Sequence, residues 1–205
     1  MQRLDRILSE AGVASRKELR AIIRAGRVCV NGTSVRSETE KFDEQTAEIT
    51  LDGQPVVKRY TVLLMLYKPA GYVTSSDDPS GPTVMELIPD NYRRLGVMPV
   101  GRLDKATEGL LLFTNDGVLA HKLISPRSGV WKTYYAEHEG EADAADIAAF
   151  AAGLTLGDGT RCLPAKLISQ GAGKSLIEVQ EGKYHQVRRM MASRGMPVSY
   201  LKRVK

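Results

Sequence analysis

The run Gly101-Arg102-Leu103-Asp104-Lys105-Ala106-Thr107-Glu108-Gly109-Leu110 sets one acid between an arginine two positions before it and a lysine one position after it. A strand-like segment, 95–100, precedes it, and an apolar one, 110–114, follows. A carboxylate on a short turn among cations keeps its charge at neutral pH. That suits a nucleophile or a positioned base. The same pattern fits an ordinary turn-forming or helix-capping aspartate. Glu108, four residues on, also raises a two-carboxylate glycoside-cleaving pair, which needs its carboxyls across a bond, roughly 5 to 9 Å apart.

Three further segments carry chemically useful types. Lys132-Thr133-Tyr134 lies in the strand-like stretch 131–138. The ring of Tyr134 is either a core side chain or a platform for an unstacked base. Tyr135 points to the opposite face of the same strand. Glu181-Gly182-Lys183-Tyr184-His185-Gln186-Val187-Arg188-Arg189-Met190 opens a basic helix. Its cations could pair with a carboxylate, contact phosphate or lie in solvent. Tyr67-Lys68-Pro69-Ala70-Gly71 is a strand end with turn chemistry, and Lys68 there is structural or phosphate-facing.

Together, in this order, the segments resemble the RsuA-like family of ribosomal RNA pseudouridine synthases, over nearly the whole chain. The resemblance makes Asp104 the essential acid and Tyr134 the ring stacked on the target base. It makes Arg188 the cation that pairs with the aspartate. Arg102, Lys183 and Arg189 become RNA contacts, and Leu201 an apolar residue packed by the base. It implies uridine isomerisation without cofactor or metal: the N-glycosidic bond breaks, the uracil turns and rejoins through carbon, and the nucleotide must first leave its stack. The loop residues 74–79 and 124–127 look closer to the small-subunit (16S) branch than to the large-subunit (23S) branch. A monomer acting on 16S RNA in an assembly intermediate is expected. Relatives continue past this point with an Ile-Gly step, so Lys205 reads as an abrupt end.

The elements that must hold these groups change character along the chain. In residues 1–57, Leu4, Ile7, Leu8 and Ala11 fall at helical spacing. Ser15 and Glu18 form a capping box for a helix 16–25 that turns Leu19, Ile22 and Ile23 inward. Gly26 stops it. Asn31-Gly32 between 27–30 and 33–35 predicts a hairpin, and 48–51 a further strand. Arg16, Arg20, Arg24 and Arg27 form one stripe along the helix. Within residues 1–36, eight lysines and arginines face three acids. This part, above all Gly26-Arg27-Val28-Cys29-Val30-Asn31-Gly32, resembles an S4 RNA-binding module, in which arginines grip phosphates.

Residues 54–58 read as a linker, and 58–205 as an α+β domain with a mostly antiparallel mixed sheet. Strands are predicted at 62–67, 72–75, 131–138, 154–156, 162–168, 174–180 and 197–201. Helices are predicted at 83–87, 118–124, 142–152 and 184–193.

The 205 residues, with a formal charge of +5, suit a polyanionic partner. No apolar run reaches the length of a membrane span. Cys29 and Cys162 lack metal-ligand spacing and read as free thiols in a reducing cytoplasm. With no His/Cys cluster, no metal is expected.

Overall fold

A computed structural model describes residues 1–57, 61–79 and 81–205, and of Arg16 the backbone alone. The chain divides into two compact units, Met1–Thr61 and Val62–Lys205.

In the first unit, strand β1 (Gln2–Arg3) leads into helix α1 (Leu4–Glu10), and α2 (Arg16–Arg24) follows. Glu18 accepts the Ser15 N–H at 2.9 Å, and Ser15 Oγ accepts the Glu18 N–H, so the capping box is formed. Then come β2 (Val28–Val30), β3 (Thr33–Val35), β4 (Lys41–Phe42), β5 (Ile49–Leu51) and β6 (Gln54–Pro55). Asn31 and Gly32 take φ of 50° and 80°, which gives the hairpin a twist matching its strands. Asp52-Gly53 repeats the device, so Gln54 and Pro55 pair with β5 instead of forming the expected linker. Lys58, its last residue, lies outside the described residues. The core gathers Leu4, Leu8, Leu19 and Ile23 from the helices with Val28, Val30, Val35 and Ile49 from the strands.

The second unit contains β7 (Leu63–Lys68), a single 3-10 turn (Val84–Leu87), α3 (Asp90–Arg94), β8 (Met98–Val100), β9 (Glu108–Thr114), α4 (Gly117–Ile124), a second 3-10 turn (Pro126–Ser128) and β10 (Lys132–His138). It continues with α5 (Ala144–Ala152), β11 (Lys166–Ser169), β12 (Lys174–Val179), α6 (Gln186–Ala192) and β13 (Val198–Arg203). Among the described residues these strands make one seven-stranded sheet in the order β11-β12-β10-β13-β9-β7, with β8 also on β9. Every pairing is antiparallel except β13 with β9. No helix among the described residues is long and apolar enough to cross a membrane.

Several expectations are corrected. Residues 72–75 form no strand: Val73 makes a single bridge to Thr83, and the Thr74 hydroxyl is bonded instead to the backbone of Leu103. Residues 154–156 make only an isolated bridge, Thr155 to Arg161, and 162–165 form no strand, where Pro164 has no N–H to donate to a ladder. Helix α3, after Pro89, was not expected at all. α6 starts two residues late because His185 takes a left-handed conformation. β13 runs on to Arg203, two residues beyond its expected end.

Two apolar clusters flank the site. One holds Ala136, Phe150, Ile177, Met190 and Leu201; the other holds Val84, Leu103, Leu111 and Phe113. Tyr134 packs against both.

Candidate active site

The turn that carries Asp104 is pinned on both sides. Leu103 is buried in the second cluster. Its N–H donates to Thr74 Oγ1 at 3.1 Å, and its carbonyl accepts the Thr74 hydroxyl at 2.8 Å. The Thr107 N–H closes the turn on the Asp104 carbonyl at 3.0 Å. Beneath it, the fully buried Lys68 ammonium donates to the carbonyls of Pro69 (3.0 Å), Lys105 (3.2 Å) and Thr107 (2.8 Å). Burial pushes Lys68 below the ordinary lysine range, and the Asp104 and Glu108 carboxylates pull it back up. The residue is therefore structural, and its charge also sits behind the acid. Replacing Lys68 with Met is expected to lower stability by about 2 kcal/mol, because buried carbonyls lose their donor. Turnover should fall more than about tenfold as the turn loosens. Thermal unfolding and turnover measured together check this, and an unchanged melting temperature would refute it.

Sheet pairing brings Tyr134 to this turn. Arg203 on β13 is the partner of Gly109 on β9 and of Tyr134 on β10. The ring therefore reaches the Asp104 turn by crossing one strand. Asp104, Tyr134 and Leu201 line a single cavity of about 240 Å³, with Thr107, Glu181 and His185 also in its wall. Burial raises the Tyr134 phenol above its ordinary range, while Arg203 beside it pulls it down. The Thr107 hydroxyl is buried and has no hydrogen-bond partner among the described residues. Tyr135 lies on the other face, its hydroxyl on Glu137 at 3.0 Å.

The expected pairing of Arg188 with Asp104 is not formed. Gln186, Val187, Met190 and Met191 take the buried face of α6, which turns Arg188 to its flank. Its guanidinium donates to the Val198 carbonyl at 2.9 Å, and it does not line the cavity. The neighbour from this segment is His185, whose Nε2 stands 3.6 Å from Asp104 Oδ1 and whose ring stacks on Tyr184. The left-handed backbone of His185 aims it there, and no local pattern announces such a conformation.

The other expected contacts divide. Arg102 is exposed and lines the cavity. Lys183 also lines it, 3.0 Å from Glu181. Arg189 is paired with Asp158 at 2.5 Å and lies outside it. In the first unit the arginine stripe is not a row of free cations. Arg20 and Arg24 share Glu38, at 4.0 and 3.1 Å, and Arg27 donates to Asp52 at 2.9 Å. Arg20 and Arg24 remain about two-thirds exposed. The Arg16 side chain is outside the described residues.

Glu108 does not join Asp104, which removes the glycoside-cleaving pair. Its Oε2 accepts hydroxyl protons from Tyr67 (2.7 Å) and Tyr200 (2.9 Å). These bonds hold its carboxyl below the ordinary range. Burial, with Tyr67 and Glu108, drives the Tyr200 phenol well up. A carboxylate held lower when folded stabilises the fold above its unfolded pKa. That contribution is lost as pH falls through the folded value. Glu108→Gln is therefore expected to flatten the fall of melting temperature below about pH 4.5. A pH series of thermal melts checks this, and an unaltered acid limb would contradict it.

A model of the RNA pseudouridylate synthases matches residues 62–193, and an S4 domain model matches residues 2–44. The chain belongs to the RNA pseudouridine synthase family. Its fold is that of these isomerases, preceded by an S4 domain. It is 39% identical over 206 residues to an uncharacterized RNA pseudouridine synthase, YtzG, of Bacillus subtilis, covering 98% of this chain and 86% of the relative. It is 36% identical over 210 residues to ribosomal large subunit pseudouridine synthase B of the same organism, covering 99% and 84%. A solved pseudouridylate synthase superposes with a TM-score of 0.67 at 33% identity, covering all of this chain and 88% of that one.

Proposed function

We propose that this synthase converts one uridine of ribosomal RNA to pseudouridine in the cavity shared by Asp104 and Tyr134. The observation that carries this reading is the meeting of those two side chains in one wall. The everted uridine enters with its sugar toward Asp104 and its ring against Tyr134. The bond from C1′ to N1 breaks, the uracil rotates on the aromatic face, and a bond from C1′ to C5 forms. The C5 proton leaves and N1 gains one, so the reaction is an isomerisation and calls for no redox group. Asp104 acts at the reacting nucleotide. Lys68 behind the turn supplies positive charge near the Asp104 carboxylate, and the His185 ring stands beside it with Nε2 3.6 Å from Oδ1. Tyr134, neutral because its phenol is raised, holds the detached ring by its face and edge. Leu201 closes the apolar side. The arginines of the S4 domain hold RNA phosphates and carry no part of the chemistry.

Large-subunit RNA is the favoured substrate, because relatives named for it in Bacillus subtilis and Vibrio cholerae are 36% and 37% identical. Small-subunit RNA is the second reading, supported by the loop residues 74–79 and 124–127. Pseudouridine maps of both ribosomal RNAs, from cells with and without this protein, test the assignment. Loss of one 23S site is expected, and loss of one 16S site would establish the second reading. Identical maps would overturn the proposal.

A further inference from the structure

Past Tyr134 the cavity continues into a groove of about 800 Å³. Thr74, Arg102, Tyr134, Glu181 and Gly182 line both, so one strand of RNA can occupy the two together. Two cations in the groove wall share a sheet face with Tyr134. Lys132 lies two residues before it on β10, and Arg203 lies opposite it on β13. Their partners are neutral. Among the described residues Lys132 Nζ reaches the Gln180 carbonyl, at 3.5 Å, and Arg203 Nε donates to the Leu110 carbonyl at 2.5 Å. Among the described residues no carboxylate forms an ion pair with either. The acid in the same wall, Glu181, is already taken by Lys183 (3.0 Å), Gln186 (2.9 Å) and the Leu163 N–H (2.9 Å). Burial, and after it Arg203, holds Lys132 below the ordinary lysine range. Two half-buried like charges held near each other cost free energy in the empty protein, and an anion between them recovers it.

Beside the polar Ser75, Ser76, His121, Ser125 and Lys205, part of the wall is apolar. Leu110, Leu112 and Ile124 line it with Trp131, the one tryptophan of the chain. Lys166 Nζ stands over that indole, 4.6 Å from the ring centroid. An inorganic anion would have no use for such a wall. A nucleotide has a phosphate for the cations and a flat base for the indole and leucines.

We propose that this groove binds the nucleotide adjacent to the everted uridine in the same RNA strand, with its phosphate between Lys132 and Arg203 and its base against Trp131. The proposal rests on reading the smaller cavity as the site of isomerisation. Eversion strips stacking from the neighbouring base, and capture of that base offsets part of the loss.

Titration of the full chain with pentauridylate, followed by tryptophan fluorescence and independently by anisotropy of a labelled oligonucleotide, tests it. Quenching of Trp131 in step with binding is expected. Lys132→Gln should weaken binding about tenfold and reduce the slope of log K against log salt by about one. Lys132→Arg should restore both. Lys202→Gln should change neither, because that side chain lies on the opposite face, 5.9 Å from the Tyr135 ring. On ribosomal RNA, Lys132→Gln should raise KM with kcat kept within about twofold. Three outcomes would each overturn the proposal: binding without quenching, equal effects of the Lys132 and Lys202 variants, or equal competition by polyglutamate. None needs the isomerase reading, so pseudouridine maps that fail would not be confused with a groove that fails.

Discussion

Asp104→Asn should remove turnover by at least about 10⁴-fold while leaving RNA affinity and melting temperature nearly unchanged. The amide has the shape of the carboxylate and lacks its charge and nucleophilicity. The turn around it is held by Thr74, Lys68 and the Thr107 N–H, none of which bonds the Asp104 side chain. Substitution therefore alters chemistry with little change in position. Release of hydrogen from C5 of labelled uridine in ribosomal RNA reads turnover, and filter binding reads affinity. A variant that retains more than about 1% of turnover would show that another group does this work.

Gly109→Ala is expected to cost about 3 kcal/mol or more, for two reasons that add. Gly109 holds φ at +103°, where side chains other than hydrogen are strained. A Cβ there would also lie 2.1 Å from the Arg203 carbonyl oxygen and 2.9 Å from Arg203 backbone nitrogen. The obstruction is main chain, so no rotamer relieves it. β13 must move away from β9, and its pairing with β10 carries Arg203 and Tyr134 along. A fall in melting temperature of about 6–12 °C should accompany lost turnover. A fall under about 2 °C would mean that the two strands do not need this close approach.

The parts of the molecule that could be read in advance are those specified within a few residues. The Ser15–Glu18 capping box and the Asn31-Gly32 turn each depend on two side chains and the backbone beside them. The alternation of β10 put Tyr134 and Tyr135 on opposite faces, and the family resemblance chose Tyr134 between them. The misreadings share a different origin. Residues 72–75 have strand composition, yet Thr74 is spent on Leu103, 29 positions away. Lys68 could be read as phosphate-facing until its three carbonyl partners were seen, two of them beyond position 104. The arginine stripe looked uncompensated because Glu38 and Asp52, 14 and 25 positions from their partners, were not counted with it.

By itself the sequence carried the family resemblance, the candidate acid and ring, and many of the local elements, since each is written in adjacent residues. Only the tertiary structure decided which side chain of the 181–190 segment faces Asp104 and that Glu108 belongs to a tyrosine pair. It alone joined Lys132, Arg203 and Trp131 in one groove. The contact of Tyr200 with Glu108 and the place of Arg203 in the groove arise from β13 lying parallel to β9, a pairing of residues more than ninety positions apart that no local propensity encodes.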